Sequence, residues 1–276
     1  MQSENVNNCL IDIAVKDLLI NQSTYNTDNN TPRSIYDRLL LSSRWYFLLK
    51  YVSVVFKSRK IALKGAYDTP NWVSTSLDIF TTIEACGGRF HITGLENIRN
   101  CQGPVVFVSN HMSTLETMIF PGIIAPIKEV TFVVKDTLVK HPLFGPIMRA
   151  RNPIVVSRSD SREDLTIVMK QGQELLSKGM SVIIFPQSHR RVEFIPKEFN
   201  SLGVKLAKSA NVQVIPVAIK TDFWGNGKYI KEIGAINRKK PIYMNFGKPL
   251  TIQGNGKEEH NKIIDFIVSN LGQWNQ

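Results

Sequence analysis

From residue 89 onward the chain keeps returning to short, continuous apolar runs, at 89–93, 105–109, 130–134, 154–157, 180–185, 212–219 and 242–246. Runs such as VVFVS and VIPVAI are apolar on both faces, so a strand built from either must be covered above and below. Helix-length segments fall between several of them, which is the pattern of strands joined by helical crossovers. The clearest helix is expected over 162–178, with Ser161 as N-cap, Asp164 as its capping-box partner and Gly179 as its stop. Leu165, Val168, Met169 and Leu175 or Leu176 would line its buried face. The fold expected is α/β, a mixed, largely parallel sheet flanked by helices. A length of 276 residues with 43% hydrophobic content supports such a core and excludes a disordered chain, a fibre or a repeat array.

Upstream of that pattern the chain changes character. Residues 1–30 read as a polar, ill-ordered extension closed by NQSTYNTDNNT, and residues 31–88 as a helical basic region, leaving 89–276 as the main domain. Residues 34–61 suggest one or two helices, and 71–86 another that stops at Gly87-Gly88. The formal net charge is +11, and the window 31–65 holds eight basic residues against one acid, Asp37. The same window contains WYFLLKYVSVVF, ten apolar residues in twelve. A helix needs about 20 apolar residues to cross a bilayer, so this one is too short to span. Its aromatic rings and cations suit an anionic membrane surface instead. The other reading is a helix packed on its own domain with a solvated rim. No nucleic-acid-binding module accompanies the charge. The start is too polar for a secretory signal, and three cysteines without a C-x-x-C pattern point to reduced thiols and no zinc site. The expected location is therefore the cytoplasmic face of a membrane, peripheral or monotopic.

The chemistry concentrates in VVFVSNHMSTLE, residues 105–116. A buried strand ends at Ser109, and His111 follows at its carboxyl end, where open α/β sheets place ligands. Ser113 and Glu116 fit a capping box, which puts Glu116 in the first turn of a helix and within reach of His111. A carboxylate on one ring nitrogen leaves the other free as a base, and no serine nucleophile is needed when the substrate brings its own hydroxyl. The competing reading makes Glu116 a helix cap and His111 a satisfied core histidine. H-E-x-x-H, G-x-S-x-G and P-loop motifs are absent, which disfavours a zinc protease, an α/β-hydrolase and a P-loop NTPase.

Four segments in order resemble the glycerolipid acyltransferases typified by 1-acylglycerol-3-phosphate acyltransferase. Asn110-His111 is followed after four residues by Glu116; KDTLVKHPLFGPIMRARNPIVVSR places Lys135, Leu138, Pro142, Gly145, Arg149 and Arg158; Phe185-Pro186-Gln187-Ser188-His189-Arg190 ends a strand; and Val214-Ile215-Pro216-Val217-Ala218 forms another. The resemblance implies an O-acyltransferase that moves a fatty acyl group from acyl-CoA or acyl-ACP to a hydroxyl of a glycerol-phosphate-type lipid. It implies His111 and Glu116 as the catalytic pair, with Asn110, Lys135, Arg158, Gln187, Ser188, His189 and Arg190 around the substrate. No metal or cofactor is implied beyond the donor thioester. Departures are Glu116 where the family has aspartate, and Gln187, Ser188 and His189 in place of glutamate, glycine and threonine. The alternatives these raise are another lysolipid or amino-acid lipid as acceptor, or a catalytically silent lipid-binding homologue.

Overall fold

The structure, a computed structural model, describes residues 15, 17, 19–187, 189–228 and 233–276. Eight strands, β1 (Thr24–Asn26), β2 (Phe90–Thr93), β3 (Val105–Ser109), β4 (Val130–Lys135), β5 (Ile154–Val156), β6 (Ser181–Ile184), β7 (Gln213–Lys220) and β8 (Ile242–Phe246), form one sheet in the order β1-β2-β8-β7-β3-β6-β4-β5. The pairs β2–β8, β7–β3, β3–β6, β6–β4 and β4–β5 are parallel, and β1–β2 and β8–β7 antiparallel. The sheet is mixed and largely parallel, as the apolar runs require. Each of the seven runs lies within a residue or so of its strand. Central β3 is buried along its whole length, in register with β6 through Val106 and Val182 and with β7 through Val106 and Val214.

The helices are α1 (Ile35–Leu39), α2 (Trp45–Leu63), α3 (Thr69–Ala85), α4 (Leu95–Asn100), α5 (Leu115–Ile124), α6 (Asp136–Lys140), α7 (Gly145–Arg149), α8 (Ser161–Ser177), α9 (Leu202–Ala210) and α10 (Lys257–Trp274). The segment expected as one or two helices is two. Leu41 and Ser42, at φ 55° and 56°, take left-handed backbone that ends α1 and turns the chain into α2. Arg238 fixes this break by donating to Ser42 O (2.6 Å), Cys86 O (2.8 Å) and the fully buried Asp37 (2.7 Å), which also pairs with Arg33.

Two expectations are corrected. The polar extension is not wholly ill-ordered: Thr24–Asn26 adds β1 to the sheet edge, because Tyr25 is buried with its hydroxyl on Glu84 (2.8 Å) and Arg99 holds the carbonyls of Ile20 and Gln22. Residues 1–14, 16 and 18 lie outside the described residues. The cap of α8 is Asp160, whose carboxylate accepts from Arg162 N (2.8 Å) and Glu163 N (3.1 Å), not Ser161. Asp164 is thereby released to bind the preceding loop, accepting from Ser157 N (2.8 Å) and Arg158 N (2.7 Å).

Helix α2 has two apolar faces. Phe47, Leu48, Tyr51 and Val55 are buried against the domain, whereas Trp45, Leu49, Val52, Phe56 and Leu63 are exposed. Steps of three, four and seven put the second set along one side of the helix. Ile35, Leu39 and Leu41, the last 90% exposed, extend that surface over α1. No helix among the described residues is long and apolar enough to cross a membrane.

Candidate active site

Five neighbouring strands, β7, β3, β6, β4 and β5, run parallel, so their carboxyl ends share one edge of the sheet. That edge gathers residues spread over more than a hundred positions: His111 after β3, Lys135 at the end of β4, Arg158 after β5, the 185–191 loop after β6 and Thr221 after β7. A cavity of about 1090 Å³ opens there, with His111, Lys135, Arg158, Gln187, His189 and Arg190 in its wall.

His111 and Glu116 meet as the local spacing requires. Nδ1 of His111 lies 2.8 Å from Oε1 of Glu116, whose side chain is fully buried. The same oxygen accepts from Met112 N (2.7 Å) and Ser113 N (2.8 Å). The other oxygen lies 3.0 Å from Ser113 Oγ and 2.7 Å from Thr221 Oγ1. Complete burial pushes the Glu116 carboxyl up. Hydrogen bonds from His111, Thr221 and Ser113, with the charge of His111, outweigh burial and hold it below the ordinary carboxylate range. An ionised Glu116 accepts from Nδ1–H of His111, so Nε2 is the ring nitrogen left to the cavity. Glu116 therefore combines what the sequence set as alternatives: it ties down the backbone N–H groups of Met112 and Ser113 just before α5, and it orients the histidine. The imidazole also stacks on Phe185, centroid to centroid 4.3 Å, which restrains the ring.

The loop after β6 grips the backbone of His111 from both sides. Gln187 Oε1 accepts from His111 N (2.8 Å), and Arg191 N donates to His111 O (3.0 Å). The amide at 187 thus makes a backbone bond through an oxygen, which a carboxylate would equally supply. Arg190 Nη1 donates to Thr114 Oγ1. Arg158 sits in left-handed backbone at φ 60°, held there by the bonds to Asp164. Partial burial lowers the Arg158 pKa, Asp164 opposes this, and the nearby Arg190 lowers it further; both arginines line the cavity. Lys135 and His189 are exposed at the mouth of the same cavity. Ser188 lies outside the described residues. Asn110 does not face the cavity: its amide is buried and exchanges bonds with Ile219 O and Ile219 N, both 2.9 Å, tying the end of β3 to β7.

The acyltransferase family model matches residues 89–220, the stretch that contains all five strand ends but for Thr221. A 1-acyl-sn-glycerol-3-phosphate acyltransferase of Pseudomonas aeruginosa is 31% identical over 208 residues, covering 74% of this chain and 77% of that protein. The chain belongs to the acyltransferase family. A chloroplastic 1-acyl-sn-glycerol-3-phosphate acyltransferase of Arabidopsis thaliana is 30% identical over 57% of this chain, which spans 40% of that longer protein. The crystal structure of the 1-acyl-sn-glycerophosphate acyltransferase PlsC of Thermotoga maritima shares the fold, with a TM-score of 0.63 at 19% identity over 86% of this chain and 96% of that one.

Besides its polar residues, the cavity of this acyltransferase has an apolar arm lined by Met118, Phe132 and Leu138 and, from the N-terminal helices, by Ile79, Val54 and Val55. Helices α2 and α3 are thus part of the wall. The sequence reading missed Thr114, Asn200, Ser201 and Lys205 at the mouth, and Thr221 behind Glu116. Thr221 follows directly on an apolar run, so the rule that ligands gather at strand ends could have found it. The others come from the start of α5 and from the approach to and first turn of α9, where no local pattern marks them.

Proposed function

We propose that the protein, an O-acyltransferase of the 1-acylglycerol-3-phosphate acyltransferase type, uses His111 as general base and acyl-CoA or acyl-ACP as donor. Nε2 of His111 takes the proton from the acceptor hydroxyl as its oxygen attacks the thioester carbonyl. Collapse of the tetrahedral intermediate breaks the carbon–sulfur bond, and the departing thiolate takes the proton back from the imidazolium. Glu116 holds the tautomer and stabilises the charged ring. Arg158 and Arg190, with Lys135 and His189 at the mouth, bind the acceptor phosphate, for which the planar guanidinium fork is suited. The apolar arm takes the acyl chain. The chemistry uses no metal or cofactor, since the donor thioester carries the activated acyl group.

The observation that carries this reading is the cavity that joins a buried-carboxylate-oriented histidine, a pair of arginines and an apolar arm. The exposed side of α1 and α2, with its surrounding cations, supports a peripheral seat on anionic lipid at the cytoplasmic face, from which a lysolipid enters. A neutral Gln187 and the polar Asn200, Ser201 and Lys205 at the mouth favour a second acceptor class, a lysolipid with a larger head group.

The test is thioester cleavage by the purified protein with acyl-CoA or acyl-ACP and a panel of acceptors: glycerol-3-phosphate, lysophosphatidate, lysophospholipids and lyso-amino-acid lipids. Acceptor-dependent release is expected, with His111→Ala lowering turnover by about 10²–10⁴-fold while the melting temperature stays. No release with any pair, or full turnover in the variant, overturns the reading and favours a silent lipid-binding homologue.

A further inference from the structure

The segment TDFWGNGK, residues 221–228, stands out in the sequence for its turn formers, and apart from the Thr221 hydroxyl on Glu116 it has had no part in the chemistry described so far. In the fold its first six residues make three attachments, the first two of them buried. Thr221, itself fully buried, donates Oγ1–H to Oε2 of Glu116 at 2.7 Å. Trp224 is buried edge-on against Phe47 and Tyr51 of α2, with ring centroids 4.7 and 5.0 Å apart. Asn226 Nδ2 donates to the carbonyl of Met112 at 3.0 Å, next to His111. The turn is closed on itself by Trp224 N to Thr221 O (3.3 Å) and Gly225 N to Ala235 O (2.9 Å).

We propose that Thr221 is a positioning residue for the His111–Glu116 pair, and that the 221–226 turn, keyed into α2 by Trp224, is the strut that holds it in place. The proposal rests on the reading of that pair as the catalytic base. Its logic is an accounting of donors. Oε1 of Glu116 receives three N–H groups, all from residues 111–113 of its own loop, which fix that oxygen and leave the carboxylate a pivot. Oε2 is fixed only by two hydroxyls. That of Ser113 has one proton to share among Oε2 at 3.0 Å and both Thr221 O and Thr221 Oγ1 at 3.1 Å, so Thr221 is the firm donor. Without it the carboxylate is free to turn, and Nδ1 of His111 loses a defined acceptor. The anchor comes from outside the loop, 105 residues away, and is itself clamped by a helix on the other side of the turn.

The experiment compares Thr221→Val and Thr221→Ala, which remove the hydroxyl, with Thr221→Ser, which keeps it. Steady-state kinetics on the full chain are run beside NMR of ¹⁵N-histidine-labelled protein. The Nδ1–H proton of His111 is identified by its absence from His111→Ala. A lost hydrogen bond to a charged group is expected to lower kcat about 10- to 100-fold in both hydroxyl-less variants. Acceptor and donor KM stay within about twofold, because the substrate contacts are untouched. Thr221→Ser keeps wild-type kcat. The Nδ1–H resonance, far downfield in the wild type and in Thr221→Ser, moves upfield or vanishes in the other two. An unchanged resonance and kcat in Thr221→Ala, or a Thr221→Ser as impaired as Thr221→Val, overturns the proposal. Should the wild type transfer no acyl group to any acceptor, the proposed reaction falls, and the resonance alone then decides whether Thr221 orders the pair.

Discussion

Glu116 is a carboxylate with no exposure, surrounded by the N–H groups of its own loop and by the hydroxyls of Ser113 and Thr221. Its pKa in the folded protein lies below its ordinary value, so the folded state binds its proton less tightly than the unfolded chain does. The sign follows. The stabilisation is fully present above the unfolded carboxylate value of about 4.3 and is lost as pH falls through the lower folded value. Urea unfolding from pH 7 downward is expected to show stability level to about pH 5 and declining below it. Glu116→Gln should flatten part of that decline and lower kcat; a variant with the wild-type slope would remove Glu116 from the account. Gln187 yields a second expectation at this scale. A glutamate there still accepts from His111 N, so Gln187→Glu should leave the melting temperature unchanged. Its charge in a cavity walled by Arg158 and Arg190 should raise KM for a phosphorylated acceptor severalfold, measured with kcat as control. His111 and Glu116 were legible in the sequence because a five-residue separation on a strand-to-helix turn settles their contact locally. The place of Thr221 at a strand end was legible too, but its pairing with Glu116 was not, since that is set by which strand lies beside β3.

Helix α2 shows where legibility ends for an element. Ten apolar residues in twelve announce a helix with something to bury, but they announce it on every side. The inward face is identified only by its partner, Trp224, on a turn far along the chain. The two faces can be separated by experiment. Phe47→Ala removes a fully buried ring from that contact and is expected to cost about 3–5 kcal/mol, read from the denaturation midpoint. Trp45→Glu with Leu49→Glu alters only exposed positions, so stability should hold within about 0.5 kcal/mol. The same pair should abolish sedimentation with anionic vesicles. If vesicle binding survives, the lipid-facing surface lies elsewhere than on α1 and α2. The cap of α8 is the converse case. Ser161 and Asp164 have capping-box spacing, but Asp160 stands one residue earlier with a carboxylate that reaches the same N–H groups, and Asp164 is drawn off to Ser157 and Arg158. Short-range rules found the helix and misassigned the acceptor that caps it because two acids competed for one helix start.

For the molecule as a whole, the sequence divides into a basic helical region and a catalytic domain, and the architecture does not keep them apart. The run of strands was readable from residue 89 onward because each carries its own apolar signature, with β3, β6 and β7 buried on both faces. That the N-terminal helices complete the cavity was not, since nothing in residues 31–88 names the strands they cover. Tyr51, Val54 and Val55 of α2 and Trp72 and Ile79 of α3 line the apolar arm, and Asp37 is locked to Arg238 in the distant loop before β8. A truncation that removes residues 1–65 therefore does more than release a membrane anchor. It strips one wall from the arm, uncovers Trp224 and leaves Arg238 without the carboxylate of Asp37. The expected product is a chain that unfolds at lower temperature and over a broader range than the full protein, binds a hydrophobic dye, and transfers no acyl group even to a detergent-dispersed acceptor. Differential scanning calorimetry with a dye titration measures this. A truncated protein that melts cooperatively at the full-length temperature and retains turnover would show that the helices are an appendage, and would move the acyl chain out of the arm they enclose.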